Sequence, residues 1–185
     1  MFKKYMVKFS ITEKYEIDID NVFLELTKKK FLNYLIKHDE SLLKCYIQRE
    51  IDDEDIYKNI TVSIIKSDLP SFLSLFVSDD TYEVFTYSKY DLVNKKAKFK
   101  VKGKSLDLIQ AKIFYDEHYE ETDYGCKKII NFEIISDLPI IKNKIEKTLK
   151  KNFIETSKIR YSILEKWINK KYKKKEKKHD KNSIL

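Results

Sequence analysis

From Leu138 to Lys173 the chain carries a helical stripe, and a helix that long needs a broad apolar surface to lie on. Ile145, Leu149, Phe153, Ile159, Ile163 and Trp167 recur at helical spacing, with Thr156 filling the remaining turn. Lys144, Glu146, Lys147, Lys150, Lys151 and Lys158 fall mostly off that line, on the expected wet face. Ser136 or Asp137 is placed to cap the free backbone amides, and Pro139 sits near the first helical position, where its missing N–H costs nothing. At about 1.5 Å per residue, roughly 30 residues span about 45 Å, so the far end should project past its support.

The support is read from the rest of the chain, where the period is two. Tyr5, Val7, Phe9, Ile11, Tyr15, Ile17 and Ile19 share one face of a first strand, with Glu13 the one interruption. Asp18 and Asp20 then offer caps to one kinked helix or two short ones through Val22, Phe23, Leu26, Leu32, Leu35 and Ile36, with Thr27 a candidate second cap. Leu43, Cys45, Ile47 and Ile51 mark a second strand. The acidic turn at residues 52–55 reverses it into a third, carried by Ile56, Ile60, Val62 and Ile64. A Ser-Asp-Leu-Pro tetrapeptide at 67–70 introduces a short apolar helix or turn with Phe72, Leu73, Leu75 and Phe76, and the same tetrapeptide recurs at 136–139. Further strands are expected at 82–92, 97–102, 106–115 and 126–135, with polar turns between them that include an acidic loop from Asp116 to Gly125. Such short connections require antiparallel neighbours. The predicted fold class is α+β: a curved seven-stranded antiparallel sheet wrapped around the long C-terminal helix, with short helices after the first strand.

Composition narrows the chemistry. With 42% hydrophobic residues, among them 13 tyrosines and 11 phenylalanines, 185 residues can build one core. Only 2 glycines and 2 prolines argue against glycine-rich phosphate loops and collagen-like designs. The formal charge is +8, but eight lysines between Lys170 and Lys181, against Glu176 and Asp180, carry most of it. The body is nearly neutral, so nucleic acid is not an expected partner of the fold itself. The chain divides at 169/170 into a domain and a polybasic tail. That tail reads either as a solubilising terminus or as a peripheral contact with anionic membrane or phosphate through Lys170, Lys171, Lys173, Lys174 and Lys175. Cys45 and Cys126 belong to no C-x-x-C pair and read as buried reduced thiols, and no stretch approaches ~20 apolar residues. The expected setting is cytoplasmic.

In element order over residues 5 to 170, the chain resembles the START-like superfamily, also called helix-grip, Bet v 1-like or SRPBCC. Ser67-Asp68-Leu69-Pro70, the strand from Ala97 to Gly103, and Leu138-Pro139 leading to Lys144-Ile145-Glu146-Lys147 look like a bacterial START-like family of unknown function. Ile140-Ile141-Lys142-Asn143 stands where that family has a glycine-containing segment. The PRELI-like phospholipid-transfer domains share the same order and are a second resemblance.

The superfamily resemblance implies a cavity between sheet and helix for a hydrophobic small molecule or lipid. Its expected lining is Phe99, Val101, Ile113, Tyr115, Ile130 and Phe132 from the strands, with Phe153, Ile159 and Ile163 from the helix. Two other classes stay open. A polyketide-cyclase-like enzyme could use the same cavity, and a buried polar pair around His118 or Tyr115 would favour it. A protein- or nucleic-acid-binding module would instead have a closed core. No catalytic residue, metal ligand or cofactor motif is identified. The residues at 52–55 lack the spaced ligands and glycine of a calcium loop, His118 stands among carboxylates that read as a solvated loop, and His38 suits the end of a helix.

Overall fold

The computed structural model describes residues 6–66, 81–138 and 142–179, with the side chains of the last helix described from 143 to 172. In chain order the elements are β1 (Met6–Tyr15), α1 (Ile19–Leu26), α2 (Lys29–His38), β2 (Leu42–Asp53), β3 (Ile56–Lys66), β4 (Thr81–Asp91), β5 (Lys96–Lys102), α3 (Lys104–Leu108), β6 (Ala111–Thr122), β7 (Gly125–Ser136) and α4 (Lys142–His179). The seven strands form one sheet in the order β1-β7-β6-β5-β4-β3-β2, and every pair is antiparallel. From β2 through β7 each strand pairs with the next in sequence. Among the described strands β1 alone is non-local, closing against β7 while α1 and α2 carry the chain across to β2.

Several boundaries differ from the sequence reading, each for a local reason. Strand β1 stops at Tyr15 because Asp18 caps a helix: its carboxylate accepts from the Asn21 N–H at 2.8 Å, which puts Ile19 in α1. Thr27 closes α1 rather than opening α2, since its hydroxyl donates to the Leu24 carbonyl, and extended Lys28 precedes α2. In β2, register shifts at Leu42/Lys44 and Ile47/Arg49 change the inward residues, so Leu42 and Cys45 are buried while Leu43 and Ile51 are exposed. Leu106 belongs to α3, not to a strand. The expected acidic loop is mostly strand: β6 continues to Thr122, where Glu120 stands opposite Lys127 and Tyr119 opposite Lys128. Cross-strand lysines make those carboxylates compatible with a ladder.

The residues just before the last helix lie outside the described residues, and among the described residues Ser136 and Asp137 bond elsewhere. The Ser136 hydroxyl donates to the Ile109 carbonyl, and the Asp137 N–H to the Gln110 carbonyl, so both fasten the end of β7 to the turn before β6. Pro139, the tetrapeptide at 67–70 and the apolar run at 72–76 lie outside the described residues. Helix α4 extends beyond Lys173 to His179. Its inward residues run through Ile145, Leu149, Phe153, Ser157, Arg160, Leu164 and Ile168, a spacing slightly wider than 3.6, so the buried face turns gradually around the helix. Ile159 is left behind by that drift and is 49% exposed.

The core has three parts. Beneath the N-terminal half of α4, Ile145 and Leu149 pack with Val101, Ile109, Ala111, Ile113 and Ile134. Under its C-terminal half, Ile163, Leu164 and Ile168 pack with Phe31 and Leu35 of α2, Tyr15 and Cys126. Phe23 of α1 meets Tyr57, Tyr90, Ala97 and Phe99. Both cysteines are free and buried, and burial pushes the Cys126 thiol up to about 11.

One glycine is required by geometry. Gly125 follows the β6–β7 turn at φ +146°, and a Cβ there would lie 2.1 Å from the Tyr15 carbonyl oxygen. Gly125→Ala is therefore expected to cost about 2–4 kcal/mol in urea unfolding, with strain and a backbone clash acting together.

Candidate functional site

The middle of the sheet's inner face is where the three core clusters leave space. A cavity of about 230 Å³ lies between strands β2–β7 and α4, with α1 and α2 at one side. Its floor follows from register. Phe99 of β5, Tyr115 of β6 and Phe132 of β7 are direct cross-strand partners, and Phe9 of β1 faces Phe132 in turn. Their rings stack at 4.3 Å between Phe99 and Tyr115, 5.2 Å between Tyr115 and Phe132, and 4.8 Å between Phe132 and Phe9. Tyr90 extends the row edge-on at 5.6 Å from Phe99, and Phe153 of α4 meets Phe132 at 5.1 Å. Aromatic partners across neighbouring strands give a rigid wall whose rings present apolar faces.

One end of the cavity is charged. Lys128 of β7, only 6% exposed, places Nζ 3.2 Å from Glu117 Oε1 and 3.4 Å from Glu13 Oε2. The Tyr15 hydroxyl donates to Glu13 at 2.7 Å, and the Tyr119 hydroxyl to Glu117 at 3.4 Å. Burial pushes the Glu117 carboxyl above the ordinary range, and Lys128 offsets only part of that rise. For Lys128 burial acts downward, yet the two carboxylates outweigh it and hold the ammonium above its usual value. Tyr115 beside them is also raised, chiefly by burial and then by the Glu117 charge. Two carboxylates and one ammonium brought together with little exposure make a charged cluster suited to clamp a polar ligand group or, with the raised Glu117 carboxyl, to act as an acid–base group.

A second cation enters from the helix side. Arg160 lines the cavity from α4, and its Nε donates at 3.3 Å to Asp39, the buried residue that ends α2. Asp39 also accepts from the Ser41 N–H at 3.1 Å. The carboxylate thus fixes the guanidinium at the cavity rim.

Of the residues proposed from the sequence, the structure brings Phe99, Tyr115, Ile130, Phe132 and Phe153 to this cavity. Val101 and Ile113 face inward but are packed under the start of α4 with Ile134 and Leu149. Ile163 is buried against α2 instead, and Ile159 faces solvent. Among the proposed tail contacts, Lys170 is exposed, while Lys171 is held at 2.6 Å by Glu25 of α1. Lys173, Lys174 and Lys175 lie in α4, with side chains outside the described residues. His118 faces the outer side of the sheet, 3.7 Å from Glu120, and His38 packs its ring on Tyr34. Among the described residues no cluster of ligating side chains suits a metal ion, and no helix is long and apolar enough to cross a membrane.

Sequence reading missed the Glu13–Lys128–Glu117 cluster. The signal was present as a charged residue at an inward position of three strands: Glu13 broke the β1 alternation, and Glu117 and Lys128 break those of β6 and β7.

No family model matches the chain, and no curated protein matches it significantly. Solved structures do. A START superfamily protein from Mycobacterium smegmatis is similar at a TM-score of 0.55 and 8% identity, covering 88% of this chain and 98% of that one. The Zhui aromatase/cyclase from Streptomyces sp. R1128 is similar at 0.61 and 6%, covering 89% and 93%. A norcoclaurine synthase point mutant from Thalictrum flavum, in complex with a transition-state analogue, is similar at 0.64 and 12%, covering 92% and 98%. Element order, sheet topology and these likenesses together establish that the chain has the helix-grip fold, a seven-stranded antiparallel sheet with a long C-terminal helix, which these solved structures share.

Proposed function

We propose that the protein binds a hydrophobic small molecule between the sheet and α4, with the ligand's ring or chain on the Phe99–Tyr115–Phe132 wall. The cavity with that aromatic floor carries the reading. At about 230 Å³ it lies below the ~300–1,000 Å³ usual for drug-sized ligands, which favours a compact aromatic or cyclic compound over a diacyl lipid. The polar end of such a ligand would meet Glu117 and Lys128 or the Arg160 guanidinium. Fold likeness supports the reading, since the solved neighbours include a cyclase and a synthase bound to a small molecule. The lysine-rich end of α4, with Lys170 exposed, is the part that would meet anionic lipid.

The test is native mass spectrometry of the purified protein, followed by denaturation and identification of what is released. A stoichiometric apolar compound is the expected result. Ser157 faces the cavity from α4, and Ser157→Trp is expected to fill it and lower affinity for that compound at least ten-fold while the protein stays folded. An apo mass, with no compound gained from an apolar extract and no difference between wild type and S157W, overturns the reading.

A second reading, an enzyme using the same cavity, is favoured by the buried Glu117–Lys128 pair beside Tyr115. It predicts that Glu117→Gln retains ligand but abolishes its conversion, as followed by mass spectrometry of the bound species.

A further inference from the structure

The opposite face of the sheet has a character that net charge conceals. Strand β5 occupies the middle of the seven, and its outward residues are Lys96, Lys98, Lys100 and Lys102, alternating with buried Ala97, Phe99 and Val101. Register places further cations beside them. Lys98 stands opposite Lys89 of β4, which pairs with Lys58 of β3, and Arg49 of β2 lies one row away, opposite Ile60. Among the described residues none of Arg49, Lys58, Lys89, Lys98 and Lys100 makes an ion pair. Of the acids beside this group, Glu50 is taken by Lys29 at 2.7 Å and by the Tyr57 hydroxyl, and Asp116, opposite Lys98 on β6, accepts from the Asn131 amide at 3.2 Å. Five like charges held side by side on rigid strands repel one another, and their arrangement is compatible with a polyanion that neutralises them.

Aromatic rings lie among these cations. Lys100 is flanked across the ladder by Tyr87 on one side and Phe114 on the other. Its Nζ sits 5.8 Å from the Phe114 ring, and Lys102 Nζ sits 5.3 Å from the Tyr87 ring, which is 38% exposed. The patch is hollow: a depression of about 550 Å³ is bordered by these rings and by Lys58, Lys89, Lys98 and Lys100. A lysine at every second residue of an extended strand recurs at about 6.6–6.8 Å, suited to following successive phosphates of an extended chain, while the rings offer faces for unpaired bases. An anionic membrane would be met better by protruding apolar side chains than by a hollow.

We propose that this outer face of β2–β6 binds single-stranded nucleic acid, with Lys98 and Lys100 on the phosphates and Tyr87 stacking a base. The site is separated from the cavity by the thickness of the sheet and does not depend on what the cavity holds. The near-neutral charge of the body counts acids and bases over the whole surface, whereas binding depends on this one face.

The full-length chain is titrated into a fluorescently labelled oligouridylate across about 50–200 mM salt, and the affinity is followed by anisotropy. Five phosphate contacts correspond to a slope of log K against log salt of about −3.5. K98A/K100A is expected to lower affinity at least ten-fold and to reduce the slope's magnitude by about 1.4. Tyr87→Ala is expected to weaken binding about five-fold or more through lost stacking. All three residues are exposed, so their melting temperatures should match wild type. Equal affinity and slope in K98A/K100A would assign binding to the lysine-rich end of α4 and overturn the proposal. Capture by phosphatidylserine vesicles without oligonucleotide binding, or no binding at the lowest salt, would overturn it as well.

Discussion

Glu25→Gln is expected to destabilise the protein by about 3 kcal/mol at neutral pH and to lower its melting temperature by roughly 6–12 °C. Glu25 lies on α1 with no exposed surface. Its Oε1 accepts from Lys28 at 2.7 Å, Lys171 at 2.6 Å and the Tyr172 hydroxyl at 2.8 Å, while Oε2 accepts from the Trp167 indole at 2.7 Å. Burial alone would raise this carboxyl; the four donors, Lys171 foremost, outweigh it and lower the pKa to about 2 from an ordinary 4.5. A carboxyl depressed on folding stabilises the native state fully above its unfolded pKa, and that contribution disappears as pH falls from about 5 towards 2. Glutamine keeps one acceptor and turns an amide donor towards groups that are themselves donors. Lys28 and Lys171 are about one-third exposed and can rehydrate, so much of the loss should come from Trp167 and Tyr172. Urea unfolding of both proteins from pH 7 to 2.5 checks this: the wild type should lose the increment in acid, and the variant should lack that part of the slope. An unchanged slope in E25Q would place the acid sensitivity elsewhere.

The same contact bears on how the lysine run after residue 169 is read. Lys170 to Lys181 look alike as a run of charge, yet Lys171 and Tyr172 fall on the face of α4 that meets α1, one turn beyond Trp167. Only the crossing of two helices distinguishes a structural lysine from a solvated one. The large architecture was more legible, because alternation in seven strands and a long apolar stripe leave few ways to bury both. Where reading failed, non-local pairing was the reason. The β2 bulges changed which residues face inward, and Ile159 lost its place when the buried face of α4 drifted around the helix. The aromatic floor was accessible from local alternation, whereas Glu13, Glu117 and Lys128 become one cluster only once β1, β6 and β7 are known to be neighbours.

Lys128→Met should be the most damaging substitution near the cavity, with a loss of about 3–5 kcal/mol. Methionine fits the volume of the lysine stem but leaves Glu13 and Glu117 buried together without the ammonium that now lies within 3.4 Å of both. Two such carboxylates resist ionisation together, so the Glu117 carboxyl, already raised by burial, rises further once Lys128 no longer offsets it. A carboxyl raised on folding stabilises the native state below its unfolded pKa, and the benefit is lost as pH climbs through the raised value. K128M should therefore gain stability relative to wild type as pH is lowered from 8 to 5, a window in which Glu25 remains ionised in both proteins. Replacing all three charges in E13Q/E117Q/K128M removes the uncompensated carboxylates and should recover much of the loss, because neutral amides can retain the hydroxyls of Tyr15 and Tyr119 as partners. That recovery separates structure from function at the same site. If the cluster only completes the core, the triple variant should bind the cavity ligand as wild type does. If it clamps the ligand's polar group, the triple variant should melt near wild type and yet bind at least ten-fold more weakly.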